Sequence, residues 1–206
     1  MYKNFNKVDD NKKTEIINVS LKEFSENGYE SASTNVITKA ANISKGSLFN
    51  YFGSKKGLYI FLLDYSIEVV EQFYNQIDKS EPDLFKRLEN IGVEKLKTQK
   101  QFPYAFDFLT NSISEESAEV KNIINDKIND TYIRGLNSLY DDIDYSLFKK
   151  EIDVQKAIEI LTWTMFGFAD KYMPQIESFE SVTDFGGALL NDWQEYAEIL
   201  KYSFYK

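Results

Sequence analysis

The chain has 206 residues, 43% of them apolar, which is enough to bury a sizeable core as one domain or as two small ones, and its formal net charge is −9. It contains no cysteine and no histidine, so disulfides, thiolate sites, zinc-finger sites, Ser-His-Asp triads and Cys-His pairs are all excluded. No run of about 18 apolar residues offers a membrane span, and the opening MYKNFNKVDDNKK lacks the apolar core of a signal peptide; a cytoplasmic protein is expected.

Residues 1–9 show no helical pattern and read as a mobile, solvated arm, with Lys3 and Lys7 (and Lys12 and Lys13 just beyond) able to touch phosphates. From Asp10 to Asn27, Ile17, Leu21 and Phe24 fall at i, i+4 and i+7 with Ile16 beside them, which predicts an amphipathic helix ending at Gly28. Ser33 then has the side chain of an N-cap. Val36, Ile37, Ala40 and Ala41 recur at helical spacing behind it, predicting a short helix over 34–41. Asn42 stands where that helix must stop, and asparagine tolerates the left-handed conformation of a sharp exit. Ser44 is placed to cap a second helix, with Leu48, Phe49 and Phe52 on its apolar side and Lys45, Ser47, Asn50 and Tyr51 on the other.

Two short helices across a tight turn, packed on a third, are the layout of a helix-turn-helix DNA reader. The chemistry suits a duplex. The hydroxyls of Ser33, Thr34, Ser47 and Tyr51 and the ammonium of Lys45 can bond phosphate oxygens, Asn50 can pair bidentately with an adenine edge, and Gly46 removes a side chain where backbone must come close. A helical hairpin that binds a partner helix has the same local pattern. It differs in predicting that Lys45, Asn50, Tyr51 and Lys55 can be replaced without loss of function.

Ser54 is the expected cap of a long helix from Lys55 to about Ile77, with Leu58, Phe61, Leu62, Tyr65 and Val69 on one face. Lys55 sits in its first turn, where free N–H groups also point outward, and reads as a phosphate clamp because a lysine there opposes the helix dipole. Pro82 suits the first turn of the next helix. Further helices are predicted over about 82–100, 103–113, 116–140, 153–173 and 182–205, with breaks at Phe102-Pro103, Asn111 to Ser114, Asp141 to Asp144, Met173-Pro174 and Glu180 to Thr183. Asp141, Asp142 and Asp144, or Glu115-Glu116, invite a Mg²⁺ or carboxylate-pair reading, but no second cluster joins either and a solvated loop is simpler. No enzyme, metal or cofactor is expected.

The acidity is unevenly spread. Residues 1–60 hold nine lysines against six acids, while residues 61–206 hold 15 basic against 27 acidic side chains. Exposed charges farther apart than a Debye length, about 8 Å at physiological salt, are largely screened, so a basic reading head can work on an acidic body. Val154, Ala157, Ile158, Leu161, Met165 and Phe168 make one apolar face, and Leu189, Trp193, Tyr196 and Leu200 another. This pair of helices is expected to pack against its copy. A homodimer is expected for a second reason: two heads about 34 Å apart read successive major grooves of a palindromic site.

The run from Gly28-Tyr29 through Ile37, Ala41, Ile43-Ser44, Gly46, Leu48, Tyr51-Phe52, Lys55 and Leu58 resembles the N-terminal DNA-binding domain of the TetR/AcrR family of bacterial transcriptional regulators. Residues 10–62 carry the resemblance in detail; the remainder shares only size and helical character. Thr38, Asn42 and Phe49 depart from the family's usual Ala, Gly and Tyr, and Phe49 lacks a hydroxyl that in relatives often meets phosphate. The resemblance implies an all-α protein: a helix-turn-helix domain over 1–54, then a ligand-binding and dimerisation bundle over 55–206. It further implies a pocket for a small, often apolar effector, with Tyr65, Phe106, Trp163 and Phe166 as candidate lining and Asp107, Asn111 and Asp170 as candidate polar contacts. The function implied is a homodimeric repressor released from its operator by that effector.

Overall fold

The computed structural model describes the backbone of residues 2–172 and 182–206, and their side chains except at 96, 129–134, 136–138, 166, 169, 170, 172 and 182–187. The chain is all-α. Its helices are α1 (Asp10–Ser31), α2 (Thr34–Ala40), α3 (Lys45–Phe52), α4 (Lys55–Gln76), α5 (Leu84–Gln101), α6 (Ala105–Ile113), α7 (Lys121–Ser138), α8 (Val154–Tyr172) and α9 (Val182–Phe204), with 3-10 turns at Phe5–Lys7 and Tyr145–Leu147. Most boundaries follow the predicted pattern, and two starts are later than expected. Pro82 stays outside α5, because Asp83 accepts from the N–H groups of Phe85 (3.0 Å) and Lys86 (3.5 Å) and acts as its cap. Residues 117–120 form a turn closed by Lys121 N–H on the Ser117 carbonyl (2.9 Å) before α7 begins. The expected breaks at Met173-Pro174 and Glu180 to Thr183 fall largely outside the described residues.

Two compact units are present, Met1–Asn75 with Gln101–Leu136, and Gln76–Lys100 with Asn137–Lys206. The first is built on an apolar cluster in which Ile16, Leu21, Ile37, Leu48, Leu58, Leu62 and Phe108 are almost fully buried. Burying one such side chain contributes about 1.5–3 kcal/mol, and α6 shares this cluster with α1 and α4. The second unit packs α8 and α9 with α5. Within it the Tyr205 ring meets Phe85 and Phe148 edge-on at 5.1 and 4.9 Å, and the Tyr205 hydroxyl accepts from the Leu84 N–H (3.1 Å). Phe148 and Tyr205 also form an isolated antiparallel bridge.

Arg87 is the largest fully buried side chain, at 0% exposure. Its guanidinium faces carbonyls instead of carboxylates, donating to Glu81 (2.8 Å), Lys79 (2.9 Å), Leu139 (3.2 Å) and Asp141. One planar fork thus ties the turn before α5 to the turn after α7. The acidic Asp141 to Asp144 stretch is that second turn: Asp142 is left-handed (φ 57°) and Asp144 accepts from the Ser146 N–H (2.8 Å).

Candidate DNA-binding surface

Local chemistry builds the head. Asp9 caps α1, accepting from Asn11 (3.0 Å) and Lys12 (3.4 Å). Gly28 (φ 66°) interrupts the helix and turns its last residues aside. Ser33 caps α2, accepting from Val36 N–H (3.5 Å), and its own N–H donates to Glu23 (2.8 Å). Asn42 is left-handed (φ 48°); its N–H reaches the Lys39 carbonyl (3.3 Å) and that of Ile43 the Thr38 carbonyl (3.0 Å), a Schellman closure that satisfies the carbonyls at the end of α2. Ser44 caps α3 through the Ser47 N–H (2.9 Å), and the two hydroxyls bond each other at 2.8 Å.

Leu48 and Phe52 anchor α3 in the core. Lys45, Gly46 and Asn50 are exposed, and Ser47, Phe49 and Tyr51 half-buried, so one face of α3 is open to a partner. The Lys45 ammonium lies 5.9 Å from the Phe49 ring centre. Ser33 and Thr34 are half-buried at the start of α2. The Lys55 ammonium turns back to the end of α1, donating to the Glu30 carbonyl (3.0 Å) and lying 5.1 Å from the Tyr29 ring centre.

Two expectations are corrected. Val36 is 50% exposed and Ala40 is also exposed, since a helix of seven residues has room for only Ile37 and Thr38 on its inner face. The N-terminal segment is not a solvated arm. Phe5 is 2% exposed, its ring 4.8 Å from Phe52, 5.2 Å from Phe61 and 5.7 Å from Tyr51, and Tyr2 packs on Phe52 and Phe61 at 5.8 and 4.9 Å. Such aromatic pairs contribute about 0.5–1.5 kcal/mol each beyond their area. Two aromatics in so short a segment were the available signal, and they strap residues 2–7 onto α3 and α4. Lys3, Asn4 and Lys7 are thereby held, exposed, beside the reading helix.

Behind the head, α1 is bolted to α6 and to the turn before α7. Glu115 accepts from the Tyr29 N–H (2.7 Å), the Tyr29 hydroxyl donates to Glu119 (2.7 Å), and Ser117 donates to Glu30 (2.5 Å). The Tyr59 hydroxyl bonds Ser112 (2.8 Å), whose own hydroxyl bonds the Phe108 carbonyl (2.7 Å). Burial pushes the Tyr59 hydroxyl up to about 12, against the Ser112 hydrogen bond and with help from Glu115. An unfolded tyrosine ionises near 10. The buried neutral hydroxyl therefore contributes its full stabilisation below about pH 10 and loses it as pH rises from about 10 to about 12. Tyr59→Phe should flatten the alkaline loss of urea stability by about 2–3 kcal/mol across that window. An unchanged slope would contradict this, with the residual dependence coming from Tyr2 and Tyr65, also raised by burial.

The candidate effector residues are dispersed. In the first unit, the Tyr65 ring stacks on Phe61 (6.4 Å) and meets Phe102 edge-on (6.2 Å), Phe106 meets Phe73 edge-on (5.5 Å), Asp107 lies in the first turn of α6, and Asn111 donates to the Ser25 carbonyl (3.1 Å). Trp163 belongs to the second unit and is 66% exposed. The side chains of Phe166 and Asp170 lie outside the described residues. A groove of about 190 Å³ runs between α5 and α9, lined by Phe85, Glu89, Val93, Trp193, Ala197 and Lys201 among others, and none of the seven lines it. Among the described residues no cluster of three metal-ligating side chains occurs and no helix is long and apolar enough to cross a membrane.

Residues 16–60 match the family described as bacterial regulatory proteins, tetR family. The biofilm operon icaADBC HTH-type negative transcriptional regulator IcaR of Staphylococcus aureus is 25% identical over 190 residues, covering 87% of this chain and 97% of IcaR. Among solved structures, a TetR family transcriptional regulator from Chloroflexus aurantiacus J-10-FL superposes with a TM-score of 0.64 at 22% identity, covering 98% of this chain and 97% of its own. FadR from Bacillus subtilis, solved in complex with stearoyl-CoA, superposes with a TM-score of 0.53 at 16% identity, covering 86% of this chain and 95% of its own. A capped helix-turn-helix with an open α3 face, lying within the matched segment and continued by a helical body shared with these regulators, makes the chain a DNA-binding transcriptional regulator of the TetR family.

Proposed function

We propose that the protein is a homodimeric repressor, acting in the cytoplasm on a palindromic operator and released from it by a small-molecule effector. The observation that carries the proposal is the open face of α3, and the negative regulation ascribed to IcaR supports the sign. Contacts to the duplex are assigned to Ser33, Thr34, Lys45, Ser47, Asn50, Tyr51 and Lys55, with backbone approach at Gly46. The test is binding to a duplex covering the gene's own upstream region across a salt series. A Lys45/Asn50/Lys55 triple alanine variant should lose tight binding and flatten the salt slope by about 0.9 per phosphate contact removed. Equal binding of variant and wild type would instead favour a helical protein-interaction module.

The dimer is assigned to α8 and α9, whose surfaces expose Ile160 (41%), Trp163 (66%), Ile199 (65%) and Tyr202 (84%). Large apolar side chains grouped in this way mark an interaction surface. In sedimentation the wild type should run at twice 24.0 kDa, and a Trp163→Glu/Ile199→Glu variant as a monomer with much weaker operator binding. A monomeric wild type would end this part of the proposal. Effector contacts are assigned to Tyr65, Phe106, Asp107 and Asn111, and the acyl-CoA complex of FadR supports an apolar ligand class. An effector of ordinary coupling strength, about 1–3 kcal/mol, weakens operator binding by roughly 5- to 150-fold; release of the duplex is therefore the readout for a ligand screen.

A further inference from the structure

Asn50 is an exposed asparagine on the open face of α3, and an exposed amide ordinarily samples several orientations. Here it has a partner forty-six positions away: the Asn4 Nδ2 group donates to Asn50 Oδ1 at 3.1 Å. Asn4 is itself held. The next residue, Phe5, is buried among Tyr51, Phe52 and Phe61, and the Asn6 N–H closes the turn onto the Tyr2 carbonyl (3.0 Å). The Tyr2 hydroxyl reaches the Gly57 carbonyl at 3.5 Å. A backbone anchored on both sides of Asn4 thus presents its amide to the reading helix.

We infer that Asn4 is a specificity-determining positioning residue, which presets the Asn50 amide for bidentate contact with adenine. The amide must place an acceptor and a donor in the plane of the base edge. With one lone pair of Oδ1 occupied by Asn4, the plane is fixed while the second lone pair and both Nδ2 protons still face outward. Ordering a side chain before binding removes a cost of about 0.5–1.5 kcal/mol otherwise met in the complex. Asn4 touches no base in this arrangement. Its effect is felt only through Asn50, at the base pair that Asn50 reads. The inference rests on the assignment of α3 as the reading helix.

The experiment is selection from a random duplex pool with the full-length wild type, Asn4→Ala, Asn50→Ala and the double variant, followed by binding to the selected duplex and its single-base variants. Asn4→Ala should lower discrimination roughly two- to tenfold at one base pair, the same one that Asn50→Ala alters, and the double variant should match Asn50→Ala alone. Melting temperature and salt slope should be those of the wild type, because Asn4 is exposed and meets no phosphate. A wild-type profile for Asn4→Ala would overturn the inference, as would an additive double variant or a loss spread evenly over all base pairs. If Asn50→Ala also leaves the profile unchanged, the assignment of α3 fails and the inference falls with it.

Discussion

Arg87→Met should lower the unfolding free energy of the second unit by about 3 kcal/mol or more. The substitution keeps the length and apolar bulk of the side chain and removes all five donors, so the carbonyls of Lys79, Glu81, Leu139 and Asp141 lose a shared partner at once. Each buried acceptor left unpaired costs about 1–3 kcal/mol, and relief of the buried charge offsets part of the sum. Arg87→Lys separates charge from geometry: it keeps the cation but has three donors on one nitrogen, so it should recover only part of the loss. Trp163 and Trp193 both belong to the affected unit, which makes urea unfolding followed by tryptophan fluorescence the direct measurement. A midpoint shift worth less than about 1 kcal/mol for Arg87→Met would show that these turns hold themselves together.

Gly57→Ala should damage DNA binding as severely as removing a contact residue, although Gly57 faces no ligand. A Cβ at this position would lie 2.0 Å from the Phe52 carbonyl oxygen and 3.2 Å from its carbon. Both are backbone atoms with no freedom to swing away. The end of α3 and the start of α4 would have to separate by more than an ångström, a packing cost of about 1–3 kcal/mol, and a displacement of that size carries the α3 contacts out of hydrogen-bonding range. Operator affinity should fall at least about tenfold, with a lower melting temperature. Gly46→Ala is the matched control, because its added Cβ would meet only the Ser44 hydroxyl at an ordinary 3.6 Å. That variant should melt no lower than the wild type and lose affinity only where the duplex backbone comes close. Wild-type affinity in Gly57→Ala would refute the steric argument.

The parts of the head that could be read in advance are those whose causes lie within a few residues. Ser33, Asn42 and Ser44 announce two caps and a turn, because a cap bonds N–H groups two or three positions away and a left-handed residue closes its own helix. What escaped the sequence has distant causes. Val36 looked like core because periodicity cannot say how little of a two-turn helix touches its neighbours. Phe5 looked like part of a tail because its partners Phe52 and Phe61 come from α3 and α4. The constraint on Gly57 is a contact between two helix ends, and the burial of Arg87 depends on turns about fifty residues apart in the chain. The effector residues were the least legible: aromatic enrichment names residues able to line a pocket, whereas convergence of separate helices decides which do. In the structure Tyr65 and Phe106 enter the packing of one unit while Trp163 stands on the surface of the other.

The amide of Tyr29 bears on how such regulators diversify. The break at Gly28 frees that N–H from helical pairing, and the carboxylate that receives it, Glu115, lies eighty-six positions downstream. Residues 1–60 therefore do not contain the means to complete their own fold, and an excised head would leave an orphan donor and a bare α1 flank where α6 belongs. Recombination that grafts a new body onto this head, in the laboratory or in a genome, must carry the segment from Ala105 to Lys121 with it. The transferable cassette is discontinuous in sequence, so operator choice and the helix that touches the head are inherited together.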